Sequence, residues 1–245
     1  MLKINIITLF PELIESHFNF LPFKKALEKN LIDVNLINLR DYAVDERGSV
    51  DDKPYGGGVG MLLRIEPIYN ALQSLNLKQD PHSKIVLLSP SGKKYTQKIA
   101  KEYSVSKEIT IICGRYEGVD ARVKNFVTDT ISIGDYVLSG GELPALIILE
   151  SITRLLPGVL EKEVATLEES FSFENTIEYP QYTRPEEFKG LKVPEVLLSG
   201  NHKKIEEWKN NQKIGSSSGS SSVNGSAGSS STVSSESGST TTDVS

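Results

Sequence analysis

Glycine, carboxylate and lysine residues with a spacing suited to ligand chemistry are concentrated in four short segments of this sequence. The segments are residues 51–61, 89–94, 114–120 and 133–144. Glycine lets the main chain approach a ligand closely, and a carboxylate accepts strong hydrogen bonds from donor groups of a ligand. We expect these segments to bind a ligand, and acids beside the glycines suit a ribose or a cationic group better than a phosphate.

Residues 114–120 and 133–144 carry the stronger signals. The first segment places Arg115 and Glu117 between two glycines, and the alternative interpretation is an ordinary surface ion pair between these two side chains. The second has paired glycines before a helix that holds Pro144 in its first turn. Such a helix start presents free backbone N–H groups to a ligand.

The other two segments match phosphate-binding motifs only in part. Residues 89–94 resemble a phosphate-binding lysine loop, but they lack the upstream glycine and the Ser/Thr after lysine that a P-loop needs. A tight turn before a helix is the plainer interpretation. Residues 51–61 lack the third glycine and the preceding strand of a dinucleotide fingerprint. A long glycine-rich loop in a compact domain is usually a binding loop or a lid.

Alternating short apolar runs and helical patterns predict the elements that hold these segments. Strands are expected at residues 4–9, 34–39, 85–88, 109–113 and 130–133. Helices are expected at residues 13–31, 65–75, 96–103, 119–126 and 143–156. This alternation predicts an α/β fold, a mostly parallel sheet with helices on both faces. Ligands bind at the carboxyl ends of such strands, where three of the segments fall.

Composition excludes several classes of protein. The 245-residue chain has one cysteine, Cys113, so it has neither a disulfide framework nor a cysteine-cluster zinc site, and it fits a reducing cytoplasm. Its formal net charge is −5, and −3 without the two acids of residues 215–245 (27 cationic minus 30 acidic side chains), which excludes a generally basic nucleic-acid coat. No apolar run reaches the roughly 18 residues of a membrane span, and residues 1–7 suit a strand rather than a signal peptide.

The carboxyl-terminal third differs from the rest of the chain. After residue 158 the sequence becomes rich in Glu and punctuated by Pro, which predicts a linker followed by a helical element. Asn201 is expected to cap an amphipathic helix that ends before Gly215. Residues 215–245 are nearly all Ser, Gly and Thr, and we expect a disordered tail because they offer almost nothing to bury.

Eight short motifs together resemble those of the TrmD-type tRNA (guanine-N1)-methyltransferases, in order from residue 1 to about residue 213. They are LFP (9–11), YGGGVGM (55–61), LSP (88–90), CGRYEG (113–118), SIGDYVLSGGELP (132–144), RLLPGVL (154–160), YTRP (182–185) and VLLSGNH (196–202). Any one of these is modest evidence, but this number in the correct order is strong evidence.

The resemblance implies a SPOUT-class fold whose cofactor-binding α/β domain, residues 1–158, ends in a trefoil knot. A linker would span residues 159–178 and a partial helical carboxyl-terminal domain residues 179–214. The family is a cytoplasmic homodimer with active sites shared between two chains. It transfers a methyl group from S-adenosyl-L-methionine to N1 of the tRNA guanosine at position 37, next to the anticodon, and magnesium is also suggested.

Site residues follow from the resemblance position by position. The cofactor-binding residues implied are Leu88, Pro90, Gly114, Glu117, Ile133, Gly134, Tyr136, Leu138, Gly140 and Gly141. The substrate-binding residues implied are Tyr55, Ser170, Ser199, Asn201 and His202. Arg154 matches the arginine that stabilises charge on guanine O6, and the plainer alternative is an arginine extending from the end of an apolar helix. No metal ligand is assigned.

This sequence departs from the family pattern in two places. The family's general base is an aspartate from the partner's linker, and here Glu169 occupies that position in EESF (168–171). Its extra methylene moves the carboxylate by roughly an ångström, and a misplacement of that size can cost about a hundredfold in rate. The family also continues with a basic helical segment where this sequence has Ser and Gly, so we expect a truncated or replaced carboxyl-terminal domain.

Three functional hypotheses follow. The leading one is a tRNA (guanine-N1)-methyltransferase. A related SPOUT methyltransferase acting on another RNA is the alternative within the same class. A catalytically weak protein that binds the cofactor and RNA is the third, and both Glu169 and the Ser/Gly tail favour it.

Overall fold

The computed structural model of this protein describes residues 1–77, 80–161, 169–172 and 176–215. Its nine strands are β1 (Leu2–Thr8), β2 (Ile32–Asn38), β3 (Asp51–Asp52), β4 (Leu62–Leu63), β5 (Ser83–Lys94), β6 (Glu108–Ile112), β7 (Asp129–Ser132), β8 (Glu187–Phe188) and β9 (Leu191–Lys192). Five of them form one sheet in the order β2-β1-β6-β5-β7. All neighbours in this sheet run parallel, which confirms the predicted α/β class.

Seven α-helices and three 3₁₀ helices are described. The α-helices are α1 (Pro11–Glu15), α2 (Phe23–Glu28), α3 (Ile65–Ser74), α4 (Gln97–Ser104), α5 (Glu142–Thr153), α6 (Glu195–Leu198) and α7 (His202–Gln212). The 3₁₀ helices are η1 (Ser16–Asn19), η2 (Leu39–Tyr42) and η3 (Ala121–Phe126).

The sheet is buried on both faces. Side chains alternate between the two faces along each strand, so each strand contributes to both layers. Ile4 and Ile6 of β1 point into one cluster of buried side chains, together with residues of α2, α4 and α5. Ile7 points to the opposite face and packs in a second cluster with residues of α3, η2 and η3. The two layers of helices therefore fix the sheet, and the loops at the carboxyl ends of its strands are held by a rigid frame.

Three predicted elements differ in the structure. The helix predicted over residues 13–31 is divided into α1, η1 and α2. Pro22 divides it because proline lacks an N–H and disfavours helical backbone in the residue before it. The helix predicted over residues 119–126 is the 3₁₀ helix η3. The turn predicted at residues 89–94 belongs to β5, which continues past a register shift so that Lys93 again pairs with Ile131 of β7.

The carboxyl-terminal part contains a short hairpin of β8 and β9 followed by α6 and α7. Asn201 caps α7 as predicted, because its side chain accepts a hydrogen bond from the backbone N–H of Lys204 at 3.2 Å. Ile177 and Ile214 form an isolated β-bridge between the two ends of this part. The tail expected at residues 215–245 lies outside the described residues from residue 216 onward, as do residues 162–168 and 173–175 of the linker.

Two further expectations concern membrane spans and the trefoil knot. No helix among the described residues is long and apolar enough to cross a membrane. The trefoil knot implied by the resemblance stays a prediction, as do the domain boundaries.

Candidate active site

A cleft of about 340 Å³ opens at the register shift of β5 and at the carboxyl ends of β6 and β7. Three of the four glycine-rich segments line it, those of residues 89–94, 114–120 and 133–144. Every residue that the resemblance assigns to the cofactor lines this cleft: Leu88, Pro90, Gly114, Glu117, Ile133, Gly134, Tyr136, Leu138, Gly140 and Gly141. A parallel sheet brings these distant parts of the chain together because its strand ends meet at one edge.

Two glycines are required where the cleft wall meets α5. A Cβ atom on Gly141 would lie 2.7 Å from Cα of Cys113 and 3.0 Å from the backbone N of Gly114. A Cβ atom on Gly140 would lie 2.5 Å from Nε of Arg115. The N–H of Gly141 donates to the carbonyl of Gly114 at 2.9 Å. The main chains of the two loops therefore pack directly against each other, and backbone atoms form this part of the cleft wall.

The fourth glycine-rich segment lies beside the cleft. Met61 accepts a hydrogen bond from the N–H of Glu117 at 3.0 Å, and Leu63 forms a bridge with Val119. Gly60 has a positive φ of 88°, and a Cβ there would lie 2.5 Å from Cγ of Glu117. The loop of residues 51–61 therefore packs directly on Glu117 at the cleft edge.

A buried carboxylate within the 133–144 segment supports the wall. Glu142 is 3% exposed, and its Oε1 accepts a hydrogen bond from the Thr8 hydroxyl at 2.8 Å. Its Oε2 lies 3.3 Å from Nε of Arg115. The alternative interpretation, a surface pair between Arg115 and Glu117, is not what the structure shows, since Arg115 pairs with Glu142. The sequence signal for this contact was a charged residue at the start of the apolar helical pattern of residues 142–149.

The Arg115 side chain is held from three directions. Its Nη1 donates to the carbonyl of Ser139 at 3.2 Å, and its guanidinium lies 4.5 Å from the ring centroid of Phe10. The carboxylate of Glu142 provides the third contact. Burial, followed by the nearby Glu142 charge, raises the pKa of the Cys113 thiol, so this cysteine is a buried neutral group and not a nucleophile.

Arg154 and Glu169 form a bidentate ion pair away from the cleft. Nη1 and Nη2 of Arg154 donate to Oε1 and Oε2 of Glu169, both at 2.6 Å. The side chains are 34% and 18% exposed. Hydrogen bonding to Glu169 raises the pKa of Arg154, so its guanidinium stays charged. Arg154 lies at the end of the apolar helix α5, and it has a specific carboxylate partner in Glu169.

The cleft and this ion pair lie at opposite ends of α5. Gly141 is the N-cap of the helix and Arg154 its C-cap. Twelve residues separate them, and at 1.5 Å per residue the helix spans about 18 Å. Reacting groups must approach to about 3–3.5 Å. One chain therefore does not bring Arg154 and Glu169 to its own cleft.

The residues assigned to the substrate lie outside the cleft lining. Tyr55 is fully exposed on the glycine-rich loop. The Ser170 hydroxyl accepts from the N–H of Glu178 at 3.0 Å within the linker. Ser199, whose hydroxyl accepts from the N–H of Asn201 at 3.2 Å, lies in the turn before α7, and His202 is the first residue of that helix.

Metal-binding groups are not clustered in the part of the chain that the structure describes. No three His, Cys, Asp or Glu side chains come together there in an arrangement that could hold a metal ion. Lys124 also lines the cleft, and it was not singled out from the sequence. Exposed lysines are too common to carry a sequence signal.

By its fold and cleft, the chain is an α/β protein with a cleft where open parallel sheets commonly bind their ligands. The family tRNA (Guanine-1)-methyltransferase TrmD matches residues 2–219. The chain belongs to this family.

Three curated relatives show how far the similarity extends. A tRNA (guanine-N(1)-)-methyltransferase of Caldicellulosiruptor saccharolyticus is 55% identical over 210 residues, which are 85% of this chain and 84% of the relative. One of Staphylococcus epidermidis is 49% identical over 214 residues, 87% of this chain and 86% of the relative. One of Clostridioides difficile is 49% identical over 215 residues, 87% of this chain and 93% of the relative.

Proposed function

We propose that this protein is a tRNA (guanine-N1)-methyltransferase that takes its methyl group from S-adenosyl-L-methionine and modifies the guanosine at position 37. The observation that carries the proposal is the convergence of all ten cofactor-assigned residues on one cleft. Family membership and the names of the relatives support the reaction. The substrate is a tRNA, and we place the enzyme in the cytoplasm because its relatives act on tRNA.

The residues of the cleft fit this cofactor. Leu88, Ile133 and Leu138 offer apolar surface suited to an adenine ring. The carboxylate of Glu117 can accept hydrogen bonds from ribose hydroxyls or from the cationic amino group. The wall of Gly140 and Gly141 lets the ligand lie against the main chain. When bound, S-adenosyl-L-methionine supplies an electrophilic methyl group on its sulfonium centre.

Glu169 and Arg154 supply the acid–base chemistry. Guanine N1 carries a proton and is a poor nucleophile until a base removes it. In this proposal the Glu169 carboxylate accepts that proton, and negative charge grows on guanine O6 as the proton leaves. The charged guanidinium of Arg154 stabilises this charge. N1 would then take the methyl group of the cofactor, which leaves as a neutral thioether. The ion pair already orients both side chains.

Two copies of the chain are required to assemble the site. Each copy would offer its cleft to Arg154 and Glu169 of the other, because in one chain the length of α5 separates them. The exposed side of α5 carries Leu143 and Ile147, which are 58% and 46% exposed. Antiparallel packing of two such helices about a two-fold axis sets the C-terminus of each beside the N-terminus of the other.

Substrate and metal roles complete the proposal. Tyr55, Ser170, Ser199, Asn201 and His202 contact the tRNA. Any magnesium ion would be held jointly with the bound substrates, since the described residues offer no preformed cluster of metal ligands.

The test measures transfer of labelled methyl from S-adenosyl-L-methionine to an unmodified tRNA transcript with guanosine at position 37. A transcript with adenosine there is the matched control. Incorporation confined to the guanosine transcript is expected, and the position is read by nuclease digestion and mass spectrometry. Label in both transcripts at another position would favour a related methyltransferase. Cofactor binding by calorimetry without any incorporation would favour the catalytically weak binding protein.

A further inference from the structure

We propose that Glu142 is a positioning residue for cofactor binding, in that its buried carboxylate fixes Arg115 and through it the 139–141 segment of the cleft wall. The inference rests on the proposed function, since it assumes that S-adenosyl-L-methionine occupies the cleft. Glu142 does not line the cleft itself. Its effect is therefore indirect, through the residues that it holds.

The first step in the argument is the burial of Glu142. A carboxylate that is 3% exposed has lost its hydration, and an unpaired buried charge is strongly unfavourable. Glu142 compensates for this with the Thr8 hydroxyl at 2.8 Å and the Arg115 guanidinium at 3.3 Å. The other buried residues of α5 are mostly apolar, so a leucine would fit at this position more readily than a charged glutamate. A glutamate there therefore indicates a specific role for its carboxylate.

The second step is the path from Glu142 to the wall. Arg115 contacts the carboxylate on one side and donates to the carbonyl of Ser139 on the other. Arg115 also forms an isolated antiparallel bridge with Gly140. Nε of Arg115 has no hydrogen bond with good geometry among the described residues, so the attraction between the two charges is what holds it. Removing the Glu142 charge therefore takes away the ionic contact of Arg115 and loosens its hold on the carbonyl of Ser139, while the contact with Phe10 and the backbone bridge to Gly140 remain.

The third step is the connection of Thr8 to the same group. Thr8 is fully buried at the end of β1 and does not line the cleft. Its hydroxyl donates to Glu142 and accepts from the N–H of Phe10 at 3.0 Å. The ring of Phe10 in turn lies against Arg115. A substitution at Thr8 therefore perturbs the Glu142 carboxylate without replacing a residue that lines the cleft.

The experiment compares wild type, Glu142→Gln, Thr8→Val and the double variant. Calorimetry gives the Kd for S-adenosyl-L-methionine, and steady-state kinetics gives KM and kcat. For Glu142→Gln we expect Kd and KM for the cofactor to rise about tenfold, the effect of losing a charged hydrogen-bonding partner. Both kcat at saturating cofactor and KM for tRNA should stay within about twofold.

Thr8→Val should raise the cofactor Kd in the same direction by a smaller factor. In the double variant its effect should be smaller than in the wild-type background, because the two changes share the Glu142 carboxylate and only the contact of Thr8 with Phe10 is independent of it. Thr110→Val is the matched control, since Thr110 is a fully buried threonine on the neighbouring strand β6 whose hydroxyl accepts from Asn5. It should cost stability without changing the cofactor Kd.

Wild-type Kd in folded Glu142→Gln would overturn the inference, as would a rise in Kd for Thr110→Val equal to that for Thr8→Val. If Glu142→Gln does not fold, Thr8→Val decides alone, and unchanged cofactor affinity in that variant would overturn the inference. Failure of wild type to bind S-adenosyl-L-methionine would instead refute the proposed function. The two failures are therefore distinguishable.

Discussion

Glu169 and Arg154 meet through two hydrogen bonds of 2.6 Å, which fixes the direction of both side chains. A carboxylate held in this way cannot be shortened without cost, although aspartate and glutamate have similar reference pKa values. The pair lies in the linker and at the end of α5, where each residue depends on the other for its orientation. The position of the Arg154 guanidinium therefore suits both the side-chain length and the charge of a glutamate at residue 169.

Replacing Glu169 tests its role as the base. Glu169→Gln should lower kcat by about a hundredfold or more, because the amide cannot accept the N1 proton. Glu169→Asp should lower kcat as well, since withdrawing the carboxylate by roughly an ångström misplaces it. Single-turnover methyl transfer measures both. Glu178→Gln, in the same linker but hydrogen-bonded to Gln181, is the control. A gain in rate with aspartate would show that the glutamate is a defect.

The two glycines at residues 114 and 141 should differ sharply in tolerance, although both line the cleft. Gly141→Ala should raise the cofactor Kd at least about tenfold and lower Tm, because the new methyl group would overlap the backbone at Cys113. A Cβ on Gly114 would meet only the carbonyl oxygen of Leu88 at 3.5 Å and Val119 at 3.7 Å. Gly114→Ala should keep the wild-type Tm. Equal Tm losses in the two variants would contradict this steric argument.

At the scale of elements, α7 is a short helix whose start depends on one side chain. Asn201 accepts from the N–H of Lys204, and losing such a cap costs about 1 kcal/mol. Asn201→Ala should therefore lower stability by about that amount, while Asn201→Asp should retain it. Urea unfolding measures both. If KM for tRNA rises equally with alanine and aspartate, Asn201 contacts the substrate in addition to capping the helix.

Tyr95 couples the end of β5 to α5 through a hydrogen bond of 2.7 Å between its hydroxyl and that of Ser151. Burial raises the pKa of Tyr95 to about 12 from an ordinary value of about 10. Below pH 10 the folded and unfolded chains both keep this proton. Between pH 10 and 12 only the folded chain keeps it, so the free energy of unfolding falls as pH rises.

Tyr95→Phe should make the free energy of unfolding fall less steeply between pH 10 and 12. The slope against pH should change by an amount that corresponds to up to about one proton. At pH 8 the substitution should cost about 1 kcal/mol through the lost hydrogen bond. Urea titrations at several pH values provide the slope. Tyr182→Phe, at an exposed tyrosine, is the control. An unchanged slope in Tyr95→Phe would mean that this hydroxyl does not retain its proton in the folded state.

At the scale of the whole molecule, a shared site makes a specific prediction for mixed dimers. Gly141→Ala impairs the cleft and Glu169→Gln impairs the base, so each homodimer has little activity at a cofactor concentration below the Kd of Gly141→Ala. A mixed dimer has one site with both defects and one with neither. Random pairing makes half of the dimers mixed, so activity should recover to about a quarter of wild type. Co-refolding the two variants and assaying methyl transfer tests this.

A recovery no greater than the sum of the two separate variants would refute sharing. Sedimentation gives an independent check, because Ile147→Glu places a charge on the exposed apolar side of α5. That variant should sediment as a monomer and lose methyl transfer while retaining cofactor binding. Glu150→Gln, an exposed change on the same helix, should remain a dimer. A concentration-independent wild-type monomer would contradict the shared site at once.

Local patterns predicted most of the frame correctly. The alternation of β-branched runs with helical periods identified all five strands of the main sheet and helices α3, α4 and α5, because apolar periodicity records which face of each element is buried. The Asn201 cap was also predictable, since a cap involves only neighbouring residues. The glycine-rich segments predicted a ligand site, and three of them line the cleft.

Contacts between distant residues were decided by the tertiary structure. Arg115 lies two residues from Glu117 in the chain, but it pairs with Glu142 because the main chain of residues 113–114 and 141 packs together. The strand β5 runs on past Leu88 because β7 offers it a partner again at Ile131. The sequence by itself determined the five strands of the main sheet and which loops line the cleft, since those depend on local burial and local turns. Which charges meet across the fold depends on how the strand ends converge.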